Sequence, residues 1–197
     1  LKPRKSELKR VTKETSVDVS LNLDRPRPVS VSTTIPFLNH MLELLAHHAR
    51  ISLRVRAKGD TQIDCHHLVE DVGIVLGQAL KEALGNKKGI ARYGNFLLPM
   101  DEALSYVTLD LSGRPYLEYK AKFKFQKSGF DFDLLKEFFY ALAINAGITL
   151  HISIIKGSNN HHIAESIFKG FARALGQAVS LDPKQKGIPS TKNTLAI

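Results

Sequence analysis

The sequence predicts an α+β protein built from two similar halves, each with its helices on one face of a mixed sheet. Three observations carry this. A His-His-x-x-Glu pentad occurs twice, at residues 66–70 and 161–165. The same succession of alternating and helical patterns leads up to each pentad. Each half runs for about 85–95 residues, too long for a solenoid repeat and suited to two units around a pseudo-twofold axis.

The elements follow in order. Residues 14–29 and 102–117 each begin with Glu and alternate apolar with polar side chains, the second less cleanly (Val17, Val19, Leu21 and Leu23 against Leu104, Val107, Leu109 and Leu111). Both reach a turn containing Pro or Gly, so each predicts a β-hairpin. Residues 37–46 and 134–143 are apolar at helical spacing. Residues 51–55 and 148–152 predict strands, closed by Lys58-Gly59 and Lys156-Gly157. Each pentad then opens a helix, over 66–84 and 161–179, with Asp64 and either Asn159 or Asn160 as N-caps. The order in each half is β-β-α-β-α, with one additional strand left open. The halves are set at 1–88 and 89–181, joined through Gly85-Asn86-Lys87-Lys88-Gly89. Residues 182–197 are rich in Pro, Lys and Ser, lack a period, and are expected to form a flap or arm over the site.

Composition narrows the class. With 43% apolar and 24% charged residues the chain reads as an ordinary globular protein. No apolar run approaches the roughly 18 residues of a membrane span, and the basic start has no apolar stretch behind it, so neither a membrane anchor nor a signal peptide is expected. A cytoplasmic location follows, or a plastid one if the start is a transit-peptide cleavage point. The single cysteine, Cys65, excludes an internal disulfide. It is either a thiolate ligand beside His66 or, more simply, a small residue at a strand-to-helix corner. The formal charge of +9 favours anionic partners. Nucleic acid and a phosphorylated metabolite are both candidates; the basic residues are scattered rather than interleaved with aromatics, which weakens the nucleic-acid reading.

The pentads carry the chemistry. Imidazole and carboxylate are metal ligands, and residues at i and i+4 share a helix face while neighbours point about 100° apart. His66 with Glu70 can therefore grip one ion and His67 must look elsewhere; His161, Glu165 and His162 repeat this. One such pentad is as readily a polar helix start, but two copies with His40, His47, His48 and His151 upstream favour one site built twice. The halves are not identical, since His151 aligns with Arg54 and His40 with Glu137. If the two pentads of one chain stand too far apart to share a site, the site forms between subunits.

The chain resembles the imidazoleglycerol-phosphate dehydratase family of histidine biosynthesis. The resemblance rests on Arg10-x-Thr12-x-Glu14-Thr15, on Pro36-Phe37-Leu38-Asn39-His40-Met41-Leu42, on Gly59-Asp60 and on His66-His67-x-x-Glu70-Asp71. It continues through Gly89-Ile90-x-Arg92-Tyr93-Gly94, Pro99-Met100-Asp101-Glu102, Asp110-x-Ser112-Gly113-Arg114-Pro115-Tyr116, Gly157-x-Asn159-x-His161-His162, Phe168-Lys169 and Pro189-Ser190-Thr191-Lys192. It implies a duplicated βαβ-type unit like domain 2 of ribosomal protein S5, assembled into 24-subunit shells with manganese between subunits. It implies a carbon–oxygen lyase that eliminates water from D-erythro-imidazole-glycerol phosphate to give imidazole-acetol phosphate. Two Mn²⁺ per active site would stabilise charge as it develops on the imidazole ring, although Zn²⁺, Fe²⁺ or Co²⁺ also suits these ligands.

The resemblance assigns roles. His40, His66, His67, Glu70, His151, His161, His162 and Glu165 are the expected metal ligands, divided between two ions. Glu14 is the expected proton-handling group, with its repeat partner Glu102 and Asp101 in support. Arg92, Arg114, Lys169, Ser190 and Lys192, with His48, are expected to hold the phosphate. Simpler readings stand beside these: Arg114 and Glu14 as surface charges, Lys169 as a surface ion-pair partner of Glu165, His47 as surface, and Phe138-Phe139-Tyr140 as core. The chain departs from the common pattern at Asn39, Ala49, Leu68 and Asn193, none of which removes a proposed ligand. Two rival functions are a dinuclear phosphoester hydrolase, which would usually use more Asp, and a nucleic-acid-binding module.

Overall fold

The computed structural model describes residues 3–127 and 129–195. Its first half runs β1 (Lys5–Val11), β2 (Thr15–Asn22), β3 (Val29–Ser32), α1 (Pro36–Ala49), β4 (Ser52–Gly59) and α2 (His66–Leu84). The second repeats this as β5 (Tyr93–Met100), β6 (Ala103–Asp110), β7 (Tyr116–Lys120), α3 (Leu134–Ala146), β8 (Thr149–Lys156) and α4 (Asn160–Val179). The α+β class and the duplication stand as expected, and the open additional strand is β1 in one half and β5 in the other.

The predicted hairpins need correction. The sheets are ordered β1-β2-β4-β3 and β5-β6-β8-β7. The tight antiparallel pair in each half is β1 with β2, or β5 with β6, and the strand after the Pro or Gly turn crosses to pair in parallel with β4 or β8. Alternation fixes which face of a strand is buried, but not which strand it pairs with. Here the long antiparallel edge of β2 is taken by β4, leaving β3 the outside place.

The duplication holds residue by residue. Val19 lies opposite Val55 in the first sheet and Val107 opposite Ile152 in the second, and a single register shift between Leu104 and Ser105 breaks the match near the end of β8. Each half lays its helices on its own sheet, and the two helix pairs then face each other, α2 against α3 and α1 against α4. One apolar core links both halves. Gly73 and Gly77 let α2 lie close against α3: a Cβ there would come within 2.7 Å of the Phe138 carbonyl oxygen and 2.6 Å of that of Leu142. Phe138 and Phe139 lie in this core as expected, whereas Tyr140 is exposed.

Helix α2 starts where predicted and α4 one residue earlier, at Asn160. Asn159 caps α4, its side-chain oxygen accepting from the backbone N–H groups of His161 and His162. Asp64 accepts from the His66 N–H at 2.7 Å, although the N-cap position itself is Cys65. Each cap sets the first turn so that the histidine doublet projects from the mouth of its helix. The tail from Asp182 onward is irregular and lies against the junction, with the Gly89 N–H donating to the Gly187 carbonyl and the Asp182 N–H to that of Gly89.

Candidate active site

Among the described residues, the fold brings histidines and carboxylates into two groups with three converging ligand atoms each. The first is His40, His161 and Glu165. Glu165 Oε1 lies 2.9 Å from His40 Nε2 and 2.9 Å from His161 Nε2, and Lys169 Nζ donates to Oε2. His40 comes from α1 and the other three from α4. Burial pushes the Glu165 carboxyl up, but the hydrogen bonds from Lys169, His40 and His161 outweigh it and hold it at about 2. It is therefore an anion at neutral pH, and nearly all its surface is covered. Phe37 packs edge-on against the His161 ring with centroids 5.6 Å apart, giving that ring an apolar wall.

The second group is Glu14, Asp60 and His67. His67 Nδ1 lies 3.0 Å from Asp60 Oδ2 and 3.9 Å from Glu14 Oε2. The Asp60 bond, followed by the charge of Glu14, raises the His67 pKa above its ordinary value. Its repeat, His162, is held at Nδ1 by Glu102 at 2.6 Å and faces Asp101 at 3.6 Å through Nε2. That bond, with the backbone N–H groups of Asn159 and Ser158, holds Glu102 well below the usual carboxylate range. The chemistry of the first group suits a divalent cation: two imidazole nitrogens, one anion and a mouth open to solvent. In the second, Asp60 occupies His67 Nδ1, so the ring's Nε2 is the atom left for an ion.

The remaining expected ligands are placed differently. His66 and Glu70 stand 3.9 Å apart, both half-exposed, and among the described residues gather no third donor of this chain. The place His40 takes on α1 is occupied on α3 by Glu137. His151 lies on β8 between the buried Leu150 and Ile152, so it projects from the opposite face of the sheet, beside Tyr116 with ring centroids 5.5 Å apart. Cys65 belongs to neither group, and burial raises its thiol pKa, which favours the strand-to-helix corner reading over a thiolate.

The expected phosphate ligands divide in two. Arg92, Arg114, Ser190 and Lys192 line one open cavity of about 1280 Å³ between the start of β5, the turn after β6 and the tail. Arg92 is locked there by Asp110 at 2.7 and 3.0 Å, by the Pro189 carbonyl at 2.8 Å and by stacking over Tyr93. Arg114 is 64% exposed and only loosely paired, its guanidinium 3.9 Å from Asp110 Oδ2, which leaves it able to turn toward an anion. Lys169 and His48 stand instead by the Glu165 group. Burial lowers the His48 pKa, helped by His47, Lys169 and Arg173. Lys169 does pair with Glu165, but in a covered position rather than on the surface.

These two regions sit at opposite ends of α4. The Arg92 N–H donates to the Ala178 carbonyl, 17 residues beyond His161 on that helix. At 1.5 Å per residue this is about 25 Å.

Sequence reasoning gave no role to Asp60, Asp71 or Asp110. All three stand in the motifs quoted above, and a carboxylate next to a strand end or near a helix start is the signal that marks them. Asp71 is buried and accepts from Arg10 and from Thr15 Oγ1, tying the start of β2 to α2.

Fold and site together define a class: internally duplicated α+β proteins with a histidine–carboxylate group at the mouth of each long helix. Comparison places the chain within that class. The family model described as imidazoleglycerol-phosphate dehydratase matches residues 33–175. The imidazoleglycerol-phosphate dehydratase of Endomicrobium trichonymphae is 66% identical over 195 residues, covering 99% of this chain and all of its own. That of Azorhizobium caulinodans is 56% identical over 98% of both chains. The Staphylococcus aureus enzyme structure superposes with a TM-score of 0.82 at 44% identity, covering 90% of this chain and 99% of that one. The Pyrococcus furiosus enzyme, solved in complex with (S)-C348, gives 0.83 at 38% identity over 95% and 99%. The chain belongs to the imidazoleglycerol-phosphate dehydratase family.

Proposed function

We propose that this protein dehydrates D-erythro-imidazole-glycerol phosphate to imidazole-acetol phosphate in histidine biosynthesis, using two Mn²⁺ per active site. The convergence of His40, His161 and Glu165 on a common point is the observation that supports it most directly. The reaction breaks a C–H bond and a neighbouring C–O bond, and the enol so formed becomes the ketone. Manganese, when bound, supplies Lewis acidity at the imidazole ring. Glu14 is exposed and unlocked at the rim of the second group, where it moves the proton. Arg114, Ser190 and Lys192 bind the phosphate, and Arg92 holds the tail that presents the last two.

The active site is assembled between subunits of a homo-oligomer, for which the 24-subunit shell is the expected form. Supporting this is the separation along α4: a substrate carrying one small ring and one phosphate cannot bridge about 25 Å, so ring and phosphate are held by different chains. His151, on the outer sheet face, would serve a site completed by a neighbour. No helix among the described residues is long and apolar enough to cross a membrane, and a cytoplasmic location is proposed.

The test is to incubate the manganese-loaded protein with imidazole-glycerol phosphate and follow the product by ultraviolet absorbance. Release of inorganic phosphate instead would make it a hydrolase. Native mass with and without chelator tests whether the metals lie at subunit contacts.

A further inference from the structure

The two histidine doublets repeat one another, but the carboxylates around them do not. Gly59 and Gly157 mark equivalent places. A Cβ on Gly59 would meet Leu68 and Thr15, and one on Gly157 would meet their counterparts Ile163 and Ala103. The next residues, Asp60 and Ser158, therefore correspond, as do His67 with His162 and Glu14 with Glu102.

In the second half Glu102 is fully engaged. It accepts from His162 Nδ1 at 2.6 Å, from the Asn159 N–H at 2.7 Å, and from the Ser158 N–H and Oγ at 3.1 and 3.3 Å. Such a carboxylate is fixed in place and has little capacity left for a substrate.

In the first half the arrangement is different. Asp60 stands where Ser158 does and takes the His67 Nδ1 bond at 3.0 Å. Glu14 is left 3.9 Å from the same nitrogen, beyond hydrogen-bonding distance. The Asp60 side chain is 14% exposed, and its other oxygen, Oδ1, is buried without a partner. Its charge is thus directed at His67. The Asp60 N–H donates to the Glu14 carbonyl at 3.2 Å, so the backbone keeps the two carboxylates side by side but distinct. A carboxylate on Nδ1 sets the ring's tautomer and orientation and leaves Nε2 to face outward.

We propose that Asp60 is the positioning residue of His67, and that by doing for His67 what Glu102 does for His162 it frees Glu14 for proton transfer at the reacting carbons. The second clause rests on the dehydratase reading above. The inference explains why one of two repeated glutamates works while the other only supports.

The test is Asp60→Ser, which copies the second half, with Asp60→Asn, whose amide oxygen still accepts from Nδ1, as the rescue. Crystal structures and steady-state kinetics are taken for both. In Asp60→Ser, Glu14 is expected to close on His67 Nδ1 to below about 3.2 Å. kcat then falls at least about tenfold, while KM changes less than about threefold, as the diversion of a general acid–base group requires. Asp60→Asn keeps Glu14 apart and kcat within about threefold of wild type. Should Asp60→Ser fold poorly, Asp60→Ala carries the same expectation. Glu14 and the His67 ring unmoved in the serine variant, or equal kcat losses in both variants, would overturn the proposal. If wild type formed no dehydrated product, the dehydratase reading would fail; the crystal structures would still decide whether Asp60 holds His67.

Discussion

His40 Nε2 and Glu165 Oε1 lie 2.9 Å apart although 125 residues separate them in the chain. The contact exists because α1 of the first half packs on α4 of the second, so the group requires both halves to be folded against each other. Glu165 is its centre, accepting from two imidazoles and one ammonium group.

Glu165→Gln removes that anion. Manganese affinity is expected to fall at least about 100-fold at this group, the upper end of what a lost supporting contact costs, with turnover falling in step. Calorimetric titration of the chelator-stripped protein checks it; an unchanged isotherm would remove Glu165 from the ligand set.

The same substitution has a pH signature in metal-free protein. The folded Glu165 pKa is lowered from 4.5 to about 2, so its stabilisation is fully present above the ordinary value and is lost as pH falls toward 2. Melting temperature between those limits should drop more steeply in wild type than in Glu165→Gln. Parallel curves would mean the charge contributes nothing to folding.

Arg92 and Arg114 should separate by effect. Arg92 is held by Asp110 and the Pro189 carbonyl, so Arg92→Ala is expected to cost about 1–3 kcal/mol in urea unfolding as well as substrate affinity. Arg114→Ala should leave stability within about 0.5 kcal/mol and raise KM about tenfold or more with less effect on kcat. Equal stability losses in the two variants would contradict the division.

Asp71 links Thr15, the neighbour of Glu14, to α2, with Arg10 as its counter-charge. Asp71→Ala removes the carboxylate that both groups share, but leaves Thr15 Oγ1 its contact with Thr12 Oγ1 at 3.2 Å and Arg10 partly in water, so an unfolding cost of about 1–2 kcal/mol is expected. Thr15→Val should cost about 1 kcal/mol. Denaturant midpoints of both variants test this, and a neutral Asp71→Ala would rule the network out.

Gly113 has φ +87°, and a Cβ on it would come within 2.1 Å of the Leu195 carbonyl oxygen. Gly113→Ala should therefore push the tail away from Arg114, cost about 1–2 kcal/mol from the left-handed backbone and raise KM for the phosphorylated substrate. A KM equal to wild type would mean that the tail does not shape the phosphate cavity.

Much of this was legible in the chain. The doublets, the helices they open and the Asn159 cap are local patterns, written within a few residues of themselves. The strands β1 and β5 were not read, because β1 follows a charged, basic start and β5 carries Gly94 and Pro99, which weaken a strand pattern. The parallel place of β3 and β7 was also out of reach, since pairing partners lie tens of residues away.

The sequence by itself determined the duplication, the fold class, the residues with ligand chemistry and the family. These depend on periodicity and spacing, which short-range backbone geometry fixes. Only the tertiary structure decided that His40 meets Glu165, that Asp60 rather than Glu14 holds His67, and that the Arg114 cavity stands at the far end of α4 from His161. The first comes from α1 of one half packing on α4 of the other, the second from where the end of β4 leaves Asp60 beside Glu14 and His67, and the third from the length of α4, against whose far end Arg92 is bonded.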